Sequence, residues 1–220
     1  MILSDPTAWA PRRLYPALVG QWEAVAAGAA GHQRWDAPTR LDGWTAETLL
    51  GHLVVVAEAI PTTLAQAPTA EDPVSVYDVF AGAPARAAGN DERARQVAAA
   101  GTPEELVSRL VRAVDALRRA GQPPPPGVVL PTRFGPLPVA DFLVHRCVEG
   151  VVHGLDLPRP VTPVAGALQV AAAALTRLLE RSHPGAAATV PADEEAWVEM
   201  ATGRRPPPAG PLAGMVPVLR

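Results

Sequence analysis

With 220 residues, 48% hydrophobic and 19% charged, the chain can fill one sizeable domain or a domain with an appendage, which excludes wholesale disorder. A net charge of −3, with all 19 basic residues arginine, gives no basic stripe for nucleic acid. Cys147 is the only cysteine, which excludes an intramolecular disulfide and suits a reducing cytoplasm.

The opening stretch MILSDPTAWAPRR lacks an apolar core and a small-residue cleavage site, so no signal peptide is expected. From Pro11 to Ala30, Leu14, Leu18, Trp22 and Val25 recur at three- and four-residue steps and predict an amphipathic helix. Asp36 to Trp44 is a turn-rich connector. Thr45 then caps a helix running to about Ala59, with Leu49, Leu53, Val56 and Ile60 on its core face. Pro61 breaks the apolar run there, so no membrane-spanning segment is expected. Residues 61–101 are irregular, with short helices predicted around 74–80 and 91–99.

Thr102-Pro103-Glu104-Glu105 combines a capping box with proline at the first helical position, and Leu106, Leu110, Val114 and Leu117 form the stripe behind it. Gly121 ends that helix, and Pro123 to Pro126 make a stiff spacer. VVLPTRFGPLP reads as two short extended pieces around a turn, because Pro136 and Pro138 exclude a long strand. A helix from about Val139 to Leu155 follows, and another from Thr162-Pro163 to near Ser182. These long helices with extra short pieces predict an all-α bundle over 1–183 and a small C-terminal appendage over 184–220.

Two segments carry chemistry. His52 falls beside the apolar stripe of its helix, about 60° from Leu49 and about 40° from Val56, so it points inward or to the rim of the core. In HRCVEGVVHGLDL, Arg146, Glu149, His153 and Asp156 share one face, opposite Leu143, Val144, Cys147, Val148, Val151 and Leu155. The ordinary alternative is a solvated face with an Arg146–Glu149 pair worth a few tenths of a kcal/mol. Gly150 and Gly154 weigh against it. Each costs about 1 kcal/mol inside a helix relative to alanine, so something approaches this helix closely.

Glu149 and His153, four apart, converge above their helix, and His52 supplies a third donor from a neighbour. Two imidazoles and a carboxylate fill three positions of a tetrahedral zinc site and leave one open for chemistry. Nickel, cobalt and iron accept the same donors. Asp156, Arg146 or a backbone carbonyl would orient an imidazole from behind, and His145 stands in reserve. His32 and His183 lie near helix ends, where a surface cation is ordinary. Cys147, on the apolar side, reads as a buried structural thiol. Serine-hydrolase and nucleotide-binding signatures are absent.

LDGWTAETLLGHL and FGPLPVADFLVHRCVEGVVHGLDL resemble the two motifs of the mycothiol-dependent maleylpyruvate isomerase family, within the DinB-like metal-binding four-helix bundles. The resemblance covers residues 10–182 and implies metal ligands at His52, Glu149 and His153. It also implies a zinc cofactor, mycothiol as thiol cosubstrate, and isomerisation or S-transfer on a small electrophile. WVEMATGRR…LAGMVPVLR is similar to the end of actinobacterial proteins that join this bundle to a sterol-carrier-like domain, here shortened. That likeness implies a substrate contact from Arg204 or Arg205. A non-catalytic bundle holding metal or a small ligand is the alternative. The expected protein is cytoplasmic, free of nucleic acid and membrane, and a monomer or homodimer.

Overall fold

In the computed structural model, which describes residues 9–219, the first amphipathic stripe becomes α1 (Pro11–Ala30), with Leu14, Leu18, Trp22 and Val25 fully buried. Thr45 caps α2 (Ala46–Leu64) by accepting from the Thr48 N–H at 3.3 Å. This helix runs past its expected end at Ala59. Pro61 lies in its last turns, where a missing N–H costs one intrahelical bond. Thr62 donates its hydroxyl to the Glu58 carbonyl at 2.8 Å close by. Among the described residues α2 is consequently the one helix long and apolar enough to cross a membrane by length and composition. Over half of that window is buried inside the protein, because α2 is a core helix of the bundle.

The irregular middle resolves into α3 (Val76–Ala81), held by a Ser75–Asp78 capping box, and α4 (Ala83–Ala99). The sequence predicted only a short helix over 91–99. Pro84 does not break α4, because it stands in the first turn, where the N–H has no intrahelical partner to lose. The capping box at Thr102 opens α5 (Pro103–Ala120) as expected, and Gly121, at φ +72°, ends it. β1 (Val129–Thr132) and β2 (Gly135–Pro138) form an antiparallel hairpin in the register Val129↔Pro138 to Thr132↔Gly135. Its tip is Arg133-Phe134, and Gly135 takes the positive φ (+105°) of the tight turn.

The hairpin feeds directly into α6 (Val139–Asp156), followed by α7 (Ala165–Ser182). The start of α7 is set by tertiary contact, not by Thr162: the Val164 N–H donates to the Gln21 side chain at 2.9 Å. The tail adds α8 (Glu194–Ala201) between two short 3-10 turns.

The bundle is a ring in which α1 packs on α5 and α6, and α2 packs on the same two helices. α4 covers the outside of α2, α7 covers α1 and α6, and α8 rests on α7. Gly150 and Gly154 let α1 approach α6. A Cβ on Gly150 would lie 3.1 Å from both Gln21 and Trp22. In its absence Gln21 donates to the Gly150 carbonyl at 3.0 Å, and the Trp22 indole donates to that of Arg146 at 3.1 Å. These bonds fix the rotation of α6 about its axis, and so the direction of the face that carries Glu149.

Candidate metal centre

His52 enters the site from the second turn of α2 and is 7% exposed. The connector before it folds back on itself, with the Thr39 N–H donating to the Trp44 carbonyl at 3.0 Å. This holds the Trp44 indole 5.5 Å from the His52 ring in an edge contact. Across the bundle, α6 presents Glu149 and His153 one turn apart. Glu149 Oε2 lies 3.3 Å from His52 Nε2 and 3.5 Å from His153 Nε2. The two imidazoles meet edge to face, centroids 4.7 Å apart. One donor atom from each of the three residues lies within 4.8 Å of the others.

The other ring nitrogen of His153, Nδ1, donates to Asp156 Oδ2 at 3.0 Å. Asp156 is fully buried and gripped by Arg204 through both oxygens, Nε to Oδ1 at 3.0 Å and Nη2 to Oδ2 at 2.7 Å. This fixes the orientation of the His153 ring and turns its Nε2 toward Glu149 and His52. The face of α6 is therefore not a solvated one: Asp156 is 0% and Arg146 3% exposed.

The charges settle accordingly. Burial alone would raise the Glu149 carboxyl, but hydrogen bonds from His145, His153 and His52 outweigh it and hold the group well below the usual range. Burial pushes His52 down, and the Glu149 contact only partly offsets this. For His153 burial is overcome by hydrogen bonds to Asp156 and Glu149, which bring it up to about 9. Asp156 is likewise pulled against its burial, down to about 2, by His153 and Arg204. Cys147 is fully buried on the opposite side, and its thiol is pushed far up by that burial, as a structural cysteine should be.

A cavity of about 430 Å³ opens beside these groups. Trp44, Glu149 and His153 form one wall, Phe80 and Arg86 another, the hairpin tip Arg133-Phe134 a third, and Arg204 and Leu219 of the tail close an edge. Arg133 is pushed below its ordinary value by burial, so its guanidinium is cationic but poorly solvated.

The model of the mycothiol maleylpyruvate isomerase N-terminal domain matches residues 15–158, well over half of the chain. The chain belongs to that family. A crystal structure of the mycothiol-dependent maleylpyruvate isomerase superposes with a TM-score of 0.60 at 17% identity, over 81% of this chain and 75% of the other. The helical bundle is therefore the DinB-like fold of that isomerase. No curated protein matches the sequence.

Within this family framework, the residues singled out in the sequence separate into groups. His52, Glu149 and His153 come together, and Asp156 and Arg204 stand behind His153. Arg146 does not reach the cavity wall. It is buried, with its guanidinium over the rings of Phe142 (5.1 Å) and Phe134 (5.6 Å), and burial lowers it to about 10. Arg205 points away, 3.8 Å from Glu199. His145, the reserve residue, lies 3.4 Å from Glu149 Oε1. Arg86, Arg133 and Phe134 went unseen in the sequence. The two-residue tip between proline-bearing strands signals a hairpin but not which cavity it closes.

Proposed function

We propose that His52, Glu149 and His153 hold one divalent metal, zinc in the first instance. In this reading the protein works in the cytoplasm as a mycothiol-dependent enzyme of the maleylpyruvate isomerase type, isomerising or S-conjugating a small anionic electrophile. The observation that carries it is the convergence of the three donor atoms within 4.8 Å on the wall of a cavity of about 430 Å³.

The donors fit the ion. With Zn–N bonds of about 2.0–2.1 Å, tetrahedral ligand atoms sit about 3.3–3.4 Å apart. The Glu149–His52 and Glu149–His153 separations are 3.3 and 3.5 Å. When bound, zinc supplies Lewis acidity and lowers the pKa of a thiol in its open position. The chain's own groups do the rest. With the ion bound, Asp156 would keep the His153 proton on Nδ1 and leave the Nε2 lone pair to the metal. Arg86 and Arg133 offer cationic heads to a carboxylate of the substrate, while Trp44, Phe80 and Phe134 exclude water. In the same reading residues 1–183 are the metal-binding bundle, and 184–220 an appendage whose Arg204 serves the bundle's site.

Metal analysis after purification without chelator tests this: about one zinc per chain, largely lost in His52→Ala and His153→Ala. Wild-type protein that carries no metal and takes up none on titration sinks the reading. The zinc form is then incubated with mycothiol and a panel of electrophiles including maleylpyruvate. Thiol consumption supports an enzyme; unchanged thiol across the panel leaves a metal-binding bundle without turnover.

A further inference from the structure

Glu149 uses its two carboxylate oxygens differently. Oε2 faces His52 and His153, at 3.3 and 3.5 Å, whereas Oε1 faces His145, at 3.4 Å. His145 sits one turn before Glu149 on α6 and is not among the three residues whose donor atoms cluster. Its ring is 4% exposed, edge-on to Phe134 (centroids 5.0 Å, 82°) and tilted against Phe80 (5.6 Å, 52°). Among the described residues its buried Nδ1 has no hydrogen-bond partner, and the 3.4 Å contact of Nε2 with Glu149 Oε1 is the ring's ion-pair contact. A carboxylate oxygen only accepts, so this contact is favourable with the His145 proton on Nε2.

We infer that His145 is a positioning residue for the metal: it pins Oε1 of Glu149, so that only Oε2 is presented to the ion. This deepens the metal reading and rests on it. A carboxylate released from such a restraint can turn and bind through both oxygens, occupying a position that catalysis needs open. His145 prevents this with a donor whose direction is set by Phe80 and Phe134. The hairpin tip thus shapes the metal site without touching the metal.

Three variants test the inference by metal affinity and by the visible spectrum of the cobalt(II) protein, neither of which depends on activity. His145→Gln places an amide N–H near the position of Nε2, His145→Asn places one near Nδ1 instead, and His145→Leu removes the donor. Competition against a chromogenic chelator should show zinc affinity 10- to 100-fold weaker for Leu and Asn, with Gln near wild type. The cobalt bands of Leu and Asn should weaken, as expected on passing from four to five ligands, while Gln keeps the wild-type spectrum. Circular dichroism of the metal-free proteins checks folding, and the Asn–Gln contrast decides the matter if Leu fails to fold. Wild-type binding with unchanged affinity and spectrum in Asn and Leu overturns the inference alone. Gln as impaired as Asn also overturns it. Failure of wild type to take up zinc or cobalt overturns both it and the metal reading.

Discussion

Asp156 is the residue on which the electrostatics of the site turn, because it meets His153 and Arg204 at once and no water reaches it. Replacing it with asparagine keeps the shape and removes the charge. The expected outcome is a 10- to 100-fold loss of zinc affinity, since His153 loses the partner that fixes its tautomer. The metal-free protein should also unfold at lower denaturant, by about 3 kcal/mol, because Arg204 is left without its buried counter-charge. Unchanged affinity in a chelator competition would show that Asp156 does not orient His153. Asp156 was legible in the sequence as the next position on the Glu149/His153 face, because a single helix supplies all three. His145 was only a reserve: its partner is the second oxygen of Glu149, and spacing cannot assign carboxylate oxygens.

Element by element, the sequence spoke wherever local chemistry decided. Thr102 and Glu105 close a capping box on themselves, Glu105 accepting from the Thr102 N–H at 2.8 Å, so α5 was legible from four residues. Thr102→Ala should cost about 1 kcal/mol in equilibrium unfolding. α4 was misread as a short piece because it buries only Ala94 and Ala98, too few apolar side chains to make a stripe. What seats it is a gap in another helix. Gly51, next to His52, lets the α4 backbone lie against α2, and a Cβ there would collide with the Ala94 carbonyl and stand 3.0 Å from the Ala98 nitrogen. Gly51→Ala should therefore destabilise by about 1–3 kcal/mol from overpacking, against about 1 kcal/mol regained in helix propensity. It should also weaken zinc binding by moving His52. Rising stability with intact binding would show that α4 docks loosely.

At the scale of the molecule, the tail is tied to the bundle at several points far apart in sequence. Trp197 is buried and donates to the Ala172 carbonyl of α7 at 3.1 Å, while within the tail Val218 and Leu219 both donate to the Ala201 carbonyl. Arg40 of the α1–α2 connector pairs with Glu199. The resemblance of the tail singled out Arg204 but not its task, because Asp156 lies 48 residues earlier and only tertiary packing joins them. If the tail acts on the site by orienting Asp156, which in turn orients His153, then Arg204 and Asp156 form one chain of command and their effects cannot add. Arg204→Ala should weaken zinc binding severalfold, less than Asp156→Asn, because Asp156 still holds His153. The double variant should then bind no more weakly than Asp156→Asn alone. A fully additive loss in the same chelator competition would mean that Arg204 reaches the metal by a second route, such as a direct hold on what occupies the cavity it helps to line.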